Sequence, residues 1–89
     1  MEYFTVKVGD IVESIQGRDL GVRYLIVGID KKGYCQLVNG KLKPMEKPKI
    51  KNAKHLAYLG SGKEIYLKLN QITNHELHNL IEKINTVKE

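Results

Sequence analysis

From residue 10 to residue 38 the apolar positions come in short runs broken by turn residues, a spacing that predicts strands. Residues 10–15 (DIVESI) follow a Gly9-Asp10 turn signal, and residues 22–29 (VRYLIVGI) are dense in the branched and aromatic side chains that suit a pleated surface. Gly28 within the second run predicts a bulge or a close backbone approach. Asp30-Lys31-Lys32-Gly33 reads as a tight turn, and residues 34–38 (YCQLV) as a third strand. Asn39-Gly40 is the strongest short hairpin signal, because a type I′ turn needs positive φ at both central residues. Leu42 and Lys43 would then open a returning strand, which Pro44 soon interrupts before the chain leaves as a loop.

The second half changes period. Residues 55–59 (HLAYL) read as a closing strand and Gly60-Ser61-Gly62-Lys63 as a flexible turn. That turn lacks the glycine-to-lysine spacing that wraps phosphates in nucleotide-binding loops. Residues 65–69 (IYLKL) fit either a last strand or the approach to a helix. The helix, over 74–87, opens on a capping box formed by Thr73 and Glu76. Leu77, Leu80, Ile81, Ile84 and Val87 place one apolar stripe along it. The stripe is expected to pack on the chain's own sheet rather than on a second copy, so a monomer is expected. Several short strands followed by one helix predict a mainly β chain. The expected architecture is a small barrel of about residues 6–69 with a C-terminal α-helix, a single domain over residues 1–89.

Composition adds bounds. The chain has 89 residues, 42% hydrophobic and 28% charged, a globular balance with room for one core and little room for a deep catalytic cleft. Cys35 stands alone and has no internal disulfide partner, which fits a reducing compartment. No apolar run approaches the ~18 residues of a membrane span. The opening MEYFTVKVGD has an early acid and no long apolar region, unlike a secretory leader. The expected compartment is the cytoplasm, with no membrane contact.

Charge changes the picture most. Lys41, Lys43, Lys47, Lys49, Lys51 and Lys54 stand against a single acid, Glu46, so this segment alone carries the +5 net charge of the whole chain. Pro44 and Pro48 make it a poor helix. An extended lysine-rich loop on a neutral body suits a polyanion such as nucleic acid, while its plainer reading is a solvated loop. Arg18 and Arg23 add planar groups for phosphates or base edges. Tyr24, Tyr34 and Tyr58 are candidates for stacking on unpaired bases, against the alternative of a packed core role. Catalysis finds little support. Cys35 and His55 share no motif, and His75 and His78 fall short of a zinc-binding spacing with no third ligand in view. No enzyme activity, cofactor or metal is expected.

Val8-Gly9-Asp10-Ile11-Val12, then Gly17-Arg18-Asp19-Leu20-Gly21, then Tyr24-Leu25-Ile26-Val27 resemble a KOW motif. Asn39-Gly40-Lys41-Leu42-Lys43 and the run from Glu46 to Leu56 (EKPKIKNAKHL) resemble the second half of the small bacterial KOW-domain RNA-binding proteins. These in turn are similar to KOW-bearing large-subunit ribosomal proteins of eukaryotic type. The resemblance covers roughly residues 8–56. Leu20 stands where the motif usually has lysine, Asn39 where it has aspartate, Lys43 where it has arginine, and Ile50 interrupts the lysine run. The resemblance implies an SH3-like barrel that binds ribosomal or other structured RNA through its loops. The expected function is an RNA-binding module on or near the ribosome. Arg18, Arg23, Lys41, Lys43, Lys47, Lys49, Lys51, Lys54 and His55 are the expected contacts. The alternative is a protein-interaction module that sets the same basic loop on an acidic partner.

Overall fold

Four strands fall where the apolar runs predict them. The computed structural model describes residues 5–84. Strands β1 (Asp10–Ser14), β2 (Arg23–Ile29), β3 (Tyr34–Val38), β4 (Lys49–Asn52) and β5 (Leu56–Ser61) are followed by a short helix α1 (Lys63–Leu67) and a longer one, α2 (Asn74–Glu82). The strands form one antiparallel sheet in the order β4-β3-β2-β1-β5. The chain is thus mainly β with a short C-terminal helix. None of the described helices is long and apolar enough to cross a membrane.

The centre of the sheet is buried on both faces, which explains why β2 reads as an almost unbroken apolar run rather than an alternating one. Val12, Tyr24, Ile26, Cys35 and Leu37 gather on one face with Ala53 and Leu56. Ile11, Leu25 and Val38 point the other way and meet Leu59, Ile65, Leu77 and Ile81. Successive strand residues face opposite sides, so each strand feeds both clusters. Helix α2 seals the second face. Leu77 and Ile81 are fully buried, and Leu80 and Ile84 pack at the margin. The expected stripe therefore covers the chain's own sheet, and Val87 lies outside the described residues. The capping box forms as expected: Glu76 N–H donates to the Thr73 hydroxyl, and Thr73 N–H donates to the Glu76 carboxylate. The helix ends at Glu82, short of the expected residue 87. The guanidinium of Arg23 takes the carbonyl of Ile84 just beyond it.

Several expectations are corrected. The Asn39-Gly40 pair does not make a type I′ hairpin, since no described non-glycine residue has positive φ. Instead the Asn39 side-chain oxygen accepts the amides of Lys41 and Lys43, closing a wider loop. Gly40 has φ +79°, and a Cβ there would run into the carbonyl oxygen of Asn74. The glycine serves close approach to α2, not strand return. No strand forms at Leu42 and Lys43; the returning strand is β4, inside the lysine segment expected to be loop. Lys49 to Asn52 pair with Leu37 to Tyr34 at the sheet edge. Gly60 and Ser61 belong to β5. Of residues 65–69, Ile65 to Leu67 lie in α1 and Leu69 opens a 3-10 turn, so of the two alternatives the segment is the approach to a helix and not a strand. The bulge expected at Gly28 is present, as a register shift between Ile26 and Gly28.

Candidate nucleic-acid interface

The connection from β1 to β2 is a compact loop that needs its two glycines. Gly17 and Gly21 adopt φ +92° and +88°, a region costly for residues with a Cβ. Leu20 N–H donates to the Gly17 carbonyl and Val22 N–H to that of Asp19, while Gly21 N–H reaches Ser14. Within this frame Asp19 turns inward. Its Oδ1 accepts the Ser14 hydroxyl at 2.8 Å and the Lys51 ammonium at 3.0 Å, and its Oδ2 accepts the Tyr24 hydroxyl at 2.7 Å. Lys49 stands 3.9 Å away. Burial opposes the charge on Asp19, but the bonds from Tyr24, Ser14 and Lys51, with the lysine's charge, outweigh it. The carboxyl is held well below the usual range. Burial, followed by the bond to Asp19 and its charge, pushes the Tyr24 phenol above its ordinary value.

Asp19 therefore ties the β1–β2 loop to the lysine segment across the sheet. Lys49 and Lys51 alternate with Ile50, so both point to the Asp19 side of β4 while Ile50 faces out, 57% exposed. Lys51 also donates to the Gln16 carbonyl at 2.8 Å, and its side chain keeps only 13% of its surface exposed. Inward-turned charge on an edge strand also blunts edge-to-edge pairing.

The expected contact residues divide by this geometry. Lys51 and, at longer range, Lys49 are engaged with Asp19. Arg18 lies exposed on the β1–β2 loop, Lys47 is exposed in the bend after Pro44, and Lys54 is exposed in the short turn before β5. His55 is half-buried and lines a shallow depression with Gln16, Gly17 and Lys51. Lys43 is half-buried, its carbonyl accepting the amides of Asn39 and Gly40. Arg23 and exposed Lys41 belong to a second place, a cleft between the sheet and α2. Of the tyrosines, Tyr24 is core, whereas Tyr34 and Tyr58 are 44% and 42% exposed.

The other sequence candidates separate further. Cys35 is fully buried, and burial, with the nearby charge of Asp30, pushes its thiol up to about 11, so no thiolate is ready near neutral pH. His75 contacts Asn79 at 3.2 Å, and no group of three or more metal-ligating side chains occurs among the described residues.

Sequence reasoning missed the braces of this surface. Asp19 was visible only as part of a loop motif, and nothing in its spacing pointed 32 residues ahead to Lys51. Asn74 also went unseen. Its side chain accepts the Met45 amide and donates to Glu46, a bond that lowers the exposed Glu46 carboxyl below its usual value. No protein-family model matches the chain, and no curated protein matches it.

Proposed function

We propose that the chain is an SH3-like barrel of KOW type that binds structured RNA, acting on or near the ribosome. One observation carries the reading. Asp19 joins the β1–β2 loop to the lysine strand, so the two separate stretches that resemble the KOW-domain RNA-binding proteins become parts of one basic surface. Lys51 and Lys49 shape that surface. Arg18, Lys47, Lys54 and His55 meet the phosphates on it. Cations held on a braced frame lose less freedom on binding than a loose lysine loop would. Exposed Tyr34 and Leu20, the latter at the loop tip, offer flat or apolar contacts to unpaired bases.

The test is binding to ribosomal RNA over a range of salt, comparing the parent chain with a combined Arg18→Glu, Lys47→Glu, Lys54→Glu variant. These side chains make no hydrogen bond among the described residues, so the fold should survive. Each phosphate left without its cation lowers the log–log salt slope by about 0.7 to 0.9. A folded variant with undiminished affinity would sink the assignment of this surface. Recovery of an acidic protein after nuclease treatment, with no affinity for RNA, would replace the reading with a protein-interaction one.

A further inference from the structure

We infer that the cleft between the sheet and α2 receives one unpaired nucleotide of the bound RNA, and favours a base carrying an exocyclic amino group. The inference rests on the RNA-binding reading and deepens it. The cleft encloses about 360 Å³, the low end of the range for small-molecule sites, which limits it to a single base and its phosphate. Its walls come from three parts of the chain: Arg23 from β2, Asn39, Lys41 and Leu42 from the loop after β3, and His78 and Glu82 from α2.

The mixture of groups selects the ligand. Arg23 and Lys41 bring donors and positive charge suited to a phosphate. Arg23 spends one nitrogen on the Ile84 carbonyl, which fixes the guanidinium and leaves its other donors for a ligand. A site for phosphate alone has no use for the carboxylate of Glu82, and one for an apolar ligand has no use for two cations. Glu82 makes no ion pair among the described residues. A carboxylate only accepts, so it suits the amino group of cytosine, adenine or guanine, the last with its adjacent N1–H. Uracil would present one N–H between two carbonyl oxygens, which the carboxylate repels. Leu42, 61% exposed, supplies an apolar surface for the base. Asn39 gives its oxygen to the amides of Lys41 and Lys43, leaving its amide nitrogen as a donor to a base acceptor. The ring of His78 is under-satisfied, with Nδ1 buried and without a partner among the described residues. A small turn of that ring toward a bound base edge would relieve it.

The experiment uses one RNA hairpin in five forms: fully paired, or with a single unpaired cytosine, adenine, guanine or uracil. Affinity is measured by fluorescence anisotropy for the full chain and for Glu82→Gln and Leu42→Ala. The unpaired cytosine, adenine and guanine forms should bind at least about tenfold more tightly than the uracil form, the scale of one charge-assisted hydrogen bond. Glu82→Gln should erase that preference while keeping affinity for the paired form, and Leu42→Ala should weaken all unpaired forms and spare the paired one. Equal binding of paired and unpaired hairpins by the parent chain would overturn the inference and leave the RNA-binding reading standing. A preference that survives in Glu82→Gln would overturn the assignment of base choice to this cleft. Free cytidine monophosphate bound as tightly as the hairpin would make the occupant a free nucleotide instead. Failure to bind any of the RNAs would overturn the reading and the inference together.

Discussion

The side-chain oxygen of Asn74, the first residue of α2, accepts the backbone amide of Met45 at 2.8 Å, in the middle of the lysine segment. The same side chain donates to Glu46 at 3.0 Å. The helix that seals the sheet thus also holds the bend between Pro44 and Pro48. Asn74→Ala removes both bonds and is expected to cost about 1–2 kcal/mol. Hydrogen exchange at the Met45 amide should speed up while exchange at the core of β2 stays slow. Unchanged protection at Met45 would show that the bend stands without the helix.

Asp19 predicts an acid response. Its carboxyl is held below the unfolded value of about 3.8, so its contribution is complete above that pH and fades as the pH falls through the lower folded value. Urea unfolding at pH 7 and pH 3 should therefore show a loss of stability on acidification. Asp19→Asn, which keeps the shape and drops the charge facing Lys51, should cost about 2 kcal/mol at pH 7 and show a flatter pH dependence. An Asn variant with the parent's full acid sensitivity would place the titrating group elsewhere.

Lys51 and Lys47 should separate in their effects although they sit four residues apart in one basic run. Lys51→Glu sets two carboxylates together at Asp19 and should lower the thermal midpoint and, under the proposed function, RNA affinity as well. Lys47→Glu should leave the midpoint within experimental scatter and lower affinity alone. The paired measurement of melt and binding decides it, and equal melts would remove Lys51 from its structural role as a brace.

On α2, burial grades the residues of one stripe. Leu77 is fully buried and Leu80 sits at the margin, so Leu77→Ala should cost about 2–5 kcal/mol and Leu80→Ala clearly less. Melts at low protein concentration check this. Equal small losses would mean that the stripe is not covered by the chain's own sheet.

Strands β1, β2, β3 and β5 were legible because branched, apolar runs stood between glycine-bearing turns, and α2 because Thr73 and Glu76 sit at capping-box spacing before an apolar stripe. β4 was hidden. Its residues, Lys-Ile-Lys-Asn, carry the inverse of a usual edge pattern, with the apolar side chain outside and the charged ones inside. Only a partner such as Asp19, far along the chain, makes that arrangement stable. Asn39-Gly40 misled for a related reason. The glycine answers to a helix 34 residues later, at Asn74, and a local turn rule cannot register such a contact. The basic residues themselves were plain from composition, but which of them are engaged and which stand free followed from long-range pairing alone.

Burial of the sheet's centre on both faces bears on how far this module can be cut down. A small β module is usually pictured as a unit whose outside belongs to the solvent, so that appendages can be shed or exchanged. Here Ile11, Leu25, Val38 and Leu59 lie beneath α1 and α2. A chain ending after Ser61 would display them as a continuous greasy strip, the kind of surface that draws copies together. The helices are thus a lid that the smallest working unit cannot shed, and a fusion or graft built on the strands alone would inherit stickiness instead of specificity.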